Sequence, residues 1–401
     1  MKFGGGRGTL GGMQNFQFQM PTKIVFGRNA EAQVGAEAAA VSKRLLLHHS
    51  GGHVVKSGLV ERVKASLKAA GVEWVELDGV QPNPRLSLVY KGIDIVKSEK
   101  LDFILAVGGG SPIDSAKAIA LGAADDGDVW DFFEQKRTAT AAVPVGTVLT
   151  IPAAGSESSD STVITNENGP WKFGYSSSHV VPVFSVLNPE LSFSLPDYQT
   201  ACGVADMMAH IMERYFTVVP NVELTDELCE GAMRTILRNA RKVLSGDRSN
   251  YDARAEIMWA GALAHNGLLG TGREGDWASH QIAHELSALY DMAHGASLSI
   301  IFPAWMAYNM GVDVKRSARF AAKVWGVDGA FYDFEQAARE GISRIKNFYR
   351  SIGLPVSFAD AGIETSRIGE MAKRAVKFGP VGGYRALGEK DVEAIYRLAA
   401  E

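Results

Sequence analysis

Three of the chain's nine histidines lie in the stretch from Trp277 to Gly295. His280 and His284 stand four residues apart, so a helix puts them one turn apart on one face. His294 follows Tyr290-Asp291-Met292, where helical periodicity fades and a loop can return its imidazole toward His280. Upstream, Asp206-Met207-Met208-Ala209-His210 repeats the same spacing with an acid and a histidine. Asp206, His210, His280 and His294 would together offer three nitrogens and one oxygen, a donor set suited to a divalent transition metal. A lone histidine on a helix is ordinarily a packed or solvated residue. Two spaced pairs plus a third histidine are harder to dismiss. His284 is then a spare polar group beside the substrate position. Cys202, one turn before Asp206, reads as a small buried thiol. His179 and His265 have no partner in the pattern and read as structural.

A metal on helices needs something that brings a reactant to it. Arg44–His49, Val72–Leu77, Leu101–Val107 and Ala142–Pro152 are apolar runs of strand length. Helical segments near 58–70 and 86–98 alternate with them. This alternation predicts a doubly wound, mostly parallel sheet, which binds ligands at the carboxyl ends of its strands. One strand runs into Gly108-Gly109-Gly110-Ser111-Pro112-Ile113-Asp114, with Ser111 expected as helix N-cap and Pro112 as first helical residue. A glycine turn feeding free helix N–H groups can cradle a pyrophosphate. A plain strand-to-helix connection has the same composition, and the third glycine of the dinucleotide fingerprint is missing. At the end of the first strand, Ser50-Gly51-Gly52-His53 contains no acid for a ribose 2′-hydroxyl. With Lys56 nearby, it predicts NADP(H) over NAD(H). Ala153–Asp160 is a small, hydroxyl-rich loop that can lie against a flat ring. Lys172 could pair with a ribose or phosphate. Phe173 and Trp277 are expected as apolar walls of a substrate pocket.

Beyond Leu195-Pro196-Asp197 strand patterns vanish and helical periodicity takes over. The expected organisation is therefore an α/β N-terminal dinucleotide-binding domain over 13–195 and an all-α C-terminal metal-binding domain over 196–401. The glycine-dense residues 1–12 read as a flexible leader or an appended remnant. Phe16, Phe18, Ile24 and Phe26 alternate with polar neighbours and predict two short edge strands, through which a homodimer could form. With 401 residues, 46% hydrophobic and 21% charged, the chain can build two cores. A net charge of -4 without basic runs gives no footprint for nucleic acid. No apolar run is long enough to span a bilayer, and two cysteines cannot make a disulfide framework. A cytoplasmic location is the expectation.

These motifs resemble the iron-dependent, or group III, alcohol dehydrogenases, especially their NADPH-dependent butanol dehydrogenase and aldehyde reductase branch. The resemblance runs from Met13 to the end. It rests on the Gly108–Asp114 loop, on Leu149-Thr150-Ile151-Pro152-Ala153-Ala154-Gly155-Ser156-Glu157, on Asp206-x-x-x-His210, and on His280-x-x-x-His284-Glu285-Leu286 with His294. It implies Fe²⁺, or Zn²⁺ in some members, on Asp206, His210, His280 and His294. It implies a pyrophosphate on Gly109, Gly110, Ser111 and Asp114, and cofactor contacts from Asn83, Thr150, Ser156 and Lys172. Gly51, Gly52 and His53 would meet the adenosine side. His53 stands where the branch often has Ser, and Ala154 where it often has Thr. The implied reaction interconverts short primary alcohols and their aldehydes. Glycerol dehydrogenases and dehydroquinate synthases share the plan, although the latter need basic residues that the metal segment lacks. A non-catalytic metal or nucleotide sensor would keep the same loops without turnover.

Overall fold

The computed structural model describes residues 11–329 and 333–401, so all but the last two residues of the expected leader lie outside the described residues. Eight strands precede residue 190: β1 (Lys23–Phe26), β2 (Arg44–His49), β3 (Glu73–Leu77), β4 (Ile104–Gly108), β5 (Val145–Leu149), β6 (Ser161–Asn166), β7 (Trp171–Ser176) and β8 (Phe184–Leu187). Six form one sheet in the order β1-β8-β5-β4-β2-β3, every pair parallel. Leu45–Leu47 and Ile104–Val107 are buried on both faces because helices cover both sides, which is why these strands are continuous apolar runs rather than alternating ones. The two faces have separate cores, one around Ile93, Ile119 and Phe132, the other around Val34, Leu67 and Phe103.

The alternation reading is right for β2 to β5 and for the helices Leu59–Ala69 and Leu86–Ser98. It misses the antiparallel β6–β7 pair, of which β6 is mostly Ser, Thr and Asn and β7 carries Gly174 within it. It overreaches at the N-terminus, where only Lys23–Phe26 is a strand. Phe16 and Phe18 lie on a non-strand arm that instead crosses to the helical half, where Gln14 N–H donates to the Gly272 carbonyl.

From Asp197 onward the chain is helical, with one isolated bridge between Val381 and Leu387 among the described residues. The helix Asp197–Tyr215 runs through the middle, and from Thr200 to Tyr215 nearly every residue is buried. The helices Tyr251–His265, Ala278–Tyr290 and His294–Asn309 pack around it. A core from Ala201 to Ala399 holds them together. Central burial makes the Asp197–Tyr215 helix a rigid carrier for polar groups.

Candidate metal centre and nucleotide cleft

Asp206 and His210 occupy successive turns of the central helix, and His280 and His284 successive turns of Ala278–Tyr290. His294 is the first residue of the next helix rather than part of a loop, with the turn formed by Asp291 in the left-handed region at φ 50°. Gly295 sets how close that helix comes. A Cβ there would lie 2.0 Å from the Cys202 carbonyl oxygen, so only glycine lets His294 abut the Asp206 helix.

The result is a tight convergence. Donor atoms of Asp206, His210 and His280 all lie within 4.8 Å of one another. His210 Nε2 is 3.3 Å, His294 Nε2 3.9 Å and His280 Nε2 4.0 Å from Asp206 Oδ1. Asp206, His210, His280 and His284 are buried, while His294 is partly exposed. Asp206 Oδ1 and His280 Nε2 are buried without a hydrogen-bond partner. Such groups cost free energy unless something satisfies them. Burial pushes the His280 imidazole down to about 4 and holds His210 and His294 well below the usual value, so all three present neutral nitrogen. Burial raises Asp206 to about 6, with His280 and Lys172 pulling the other way. Neutral imidazoles plus one carboxylate, aimed at one point with unsatisfied lone pairs, fit a divalent cation.

Around this cluster lie residues that spacing alone does not single out. Glu213, fully buried, accepts from His280 Nδ1 at 2.8 Å, from His280 N–H at 3.0 Å and from Trp277 N–H at 2.7 Å. It thereby fixes the tautomer that turns His280 Nε2 toward Asp206. Trp277 sits at φ 68° at the start of its helix, a conformation that this carboxylate holds. His265 is not partnerless: its ring centroid is 4.3 Å from that of His210, and its Nδ1 accepts from Arg214 at 2.8 Å. A signal for Glu213 exists in the sequence, since it falls on the same helix three residues after His210. His179 is exposed and remote from the cluster's contacts.

Trp277 does stand edge-on to His210 and His280. Phe173 makes no ring contact with this cluster; it stacks on Trp130 in the first half and meets Phe378 from the second. Lys172, on β7, is buried and donates to Asn83 Oδ1 at 2.9 Å, while Asn83 Nδ2 donates to Asp291 Oδ1 at 2.9 Å. This relay links the hairpin, the turn after β3 and the turn before His294. Burial lowers Lys172 to about 8 even though Asp206 and Asp114 both favour its charge.

The glycine loop differs in detail from expectation. The helix Gly110–Ala123 starts at Gly110 with Gly109 at its cap, so Ser111 and Pro112 fall inside the first turn. No side chain caps that N-terminus, which leaves backbone N–H groups available to an anion. Asp114 does not face the loop opening alone: it accepts from Ser156 Oγ at 2.6 Å and from Val163 N–H at 3.1 Å. Ser156 and Asp114 are thus committed to each other. Thr150 continues from β5 with its N–H on the Gly108 carbonyl, alongside the loop. Gly51 and Gly52 take φ 69° and 49°, and His53 lies in the short helix Gly52–Lys56, with Nε2 2.8 Å from Ser194 Oγ. The absence of an acid near Ser50–His53 holds only along the sequence. In space, a Cβ on Gly51 would lie 3.7 Å from Asp78 Oδ2.

A parallel α/β half with an open glycine loop, joined to a helical half with a buried acid–histidine cluster, defines a protein built to set a nucleotide against a cation. The chain belongs to the iron-containing alcohol dehydrogenases: residues 21–189 match that family and residues 200–400 match the C-terminal region of the Fe-containing alcohol dehydrogenase family. It is 41% identical over 387 residues to the probable NADH-dependent butanol dehydrogenase 1 of Bacillus subtilis, covering 96% of this chain and 100% of that protein. It is 35% identical to the NADPH-dependent aldehyde reductase YqhD of Escherichia coli, over 92% of this chain and 94% of that one. The crystal structure of NADH-dependent butanol dehydrogenase A from Thermotoga maritima superposes with a TM-score of 0.93 at 40% identity, over 97% of this chain and all of that one (100%).

Proposed function

We propose that this chain catalyses reversible hydride transfer between a nicotinamide dinucleotide and a short primary alcohol or its aldehyde. The observation that carries the reading is the convergence of Asp206, His210 and His280, with donor atoms within 4.8 Å of one another, joined by His294 with its Nε2 3.9 Å from Asp206 Oδ1. These four residues would hold the divalent cation, Fe²⁺ by family and Zn²⁺ by donor chemistry. When bound, the cation supplies Lewis acidity to the substrate oxygen and the dinucleotide supplies or takes up the hydride. Glu213 keeps His280 in one tautomer and orientation. The helix start at Gly110 and Ser111 binds the pyrophosphate, and Thr150, Ser156, Asn83 and Lys172 border the nicotinamide end. His284, one turn from His280 with Nδ1 buried and unpartnered, hydrogen-bonds the substrate oxygen and relays its proton.

Two finer readings belong here. Glycines at 51 and 52 together with His53 support NADP(H), and the relation to an NADPH-dependent aldehyde reductase points the same way. The carboxylate of Asp78 and the two relatives with NADH-dependent in their names argue for NAD(H). The partner we infer is a second copy of the chain. β1 is a sheet edge, and Phe26 on it and Phe16, Phe18 and Met20 on the arm that precedes it are exposed, at 41%, 53%, 43% and 38%. Sedimentation at micromolar concentration should give a dimer that Phe16→Asp with Phe18→Asp converts to monomer; a monomeric parent refutes it. No described helix is long and apolar enough to cross a membrane.

The test of the activity is elemental analysis joined to turnover of butanal. Purified protein should carry about one divalent ion per chain, and chelation should abolish turnover that Fe²⁺ or Zn²⁺ restores. His284→Ala should keep the metal and lower kcat by roughly a hundredfold. Full turnover after complete metal removal would sink the reading.

A further inference from the structure

Three strand ends stand side by side at the carboxyl edge of the sheet. β4 pairs with β2, His49 opposite Val107, and β2 pairs with β3, His48 opposite Leu77. The residues that follow are the glycine loop at 108–110, Ser50-Gly51, and Asp78. Adjacent strands lie about 4.8 Å apart, so the end of β3 is roughly 10 Å from the pyrophosphate loop. An aspartate side chain reaching back from that end can meet the hydroxyls of an adenosine ribose whose pyrophosphate sits on the loop.

Between loop and acid stands Gly51, buried and without a side chain, and Asp78 Oδ2 lies 3.7 Å from its Cβ position. Asp78 itself is exposed. Among the described residues no hydrogen bond or ion pair occupies its carboxylate, which acts only through space on His48. The other acid nearby, Glu76, is already held by His49 Nε2 and Lys64 Nζ, each at 2.8 Å. The imidazole of His53, the group that would have welcomed a phosphate, is bonded to Ser194.

We propose that Asp78 discriminates between the cofactors: it accepts hydrogen bonds from the ribose hydroxyls of NAD(H) and repels the 2′-phosphate of NADP(H). A carboxylate is an acceptor only, so it rewards two hydroxyl donors and penalises a dianion. The proposal rests on the dinucleotide reading above and adds the choice between its two forms. The sequence window 50–56 could not reveal it, because the acid arrives from the neighbouring strand.

The experiment is a pair of fluorescence titrations, NADH and NADPH, on the purified metal-loaded protein and on Asp78→Asn and Asp78→Gly. Both variants change an exposed side chain, and urea midpoints verify their folding. The parent should bind NADH at least about tenfold tighter than NADPH, a difference near 1.4 kcal/mol. Each variant should narrow that ratio about tenfold, chiefly by tightening NADPH, and added salt should narrow it in the parent but not in the variants. If both nucleotides bind and the ratio ignores residue 78, or favours NADPH in the parent, the assignment to Asp78 fails while the dinucleotide reading stands. If neither binds, both fail together.

Discussion

At the scale of single residues, orientation matters as much as identity. His280 is a usable ligand because Glu213 takes its Nδ1–H and two backbone N–H groups, leaving Nε2 with its lone pair toward Asp206. Glu213→Gln keeps the volume but puts an amide NH₂ against one of those donors. The outer partners of metal-bound histidines ordinarily change affinity 10- to 100-fold. Glu213→Gln should therefore lower the affinity for the cation by about that factor in chelator competition. Because Glu213 acts through His280, excess metal should restore most of kcat. A variant with unchanged metal affinity would reduce Glu213 to a helix-start cap. The spacing of Asp206, His210, His280 and His294 is legible in the sequence, since helical periodicity fixes which residues share a face. Asp78 and His265 are not, because their proximity depends on strand order and helix packing rather than on position along the chain.

At the scale of elements, burial and one close approach hold the cluster. The central helix is held by burial over four turns, and the helix His294–Asn309 reaches it through Gly295. Gly295→Ala would set a methyl 2.0 Å from the Cys202 carbonyl oxygen, on backbone that cannot rotate away. The helix must retreat, taking His294 with it. Overpacking of this kind ordinarily costs about 1–3 kcal/mol. Gly295→Ala should therefore lose both stability in urea and metal occupancy, whereas the same change at Gly311, where nothing lies within 4 Å, should leave both near the parent's values. Equal behaviour of the two variants would remove the packing argument. Element types are readable where a pattern is long and undiluted, as in the buried parallel strands and the amphipathic helices. The β6–β7 hairpin is not, because β6 is mostly Ser, Thr and Asn and the aromatic β7 carries Gly174 within it. The aromatic arm alternates like a strand without being one, because alternation alone does not supply a hydrogen-bonding neighbour.

At the scale of the whole molecule, acid response is a contest between buried groups of opposite sign. Burial raises Glu157 and Asp276 to about 7, so the folded chain takes up their protons before the unfolded chain does, and acidification favours the fold through them. His48 opposes this. It joins β2, β3 and the glycine-loop helix, its Nδ1–H donating to the Leu77 carbonyl and its Nε2 accepting from Ser115 Oγ, each at 2.9 Å. Burial depresses it from 6.5 to about 4. Between those values the unfolded chain binds the extra proton, so the stability His48 contributes is complete above pH 6.5 and lost as the pH falls toward 4. The loss is on the order of 3 kcal/mol. Because the acids pull the other way, the total curve hides this term, and a difference exposes it. Gln in place of His48 can donate to the carbonyl and accept from the hydroxyl without titrating. The stability of the parent relative to His48→Gln should be flat from about pH 8 to pH 6.5, decline from there to about pH 4, and level off below. Urea unfolding of the metal-free proteins across that range reads it directly. A difference that stays constant with pH would mean that His48 titrates alike in the folded and unfolded chains, and its burial would then carry no pH-dependent stability.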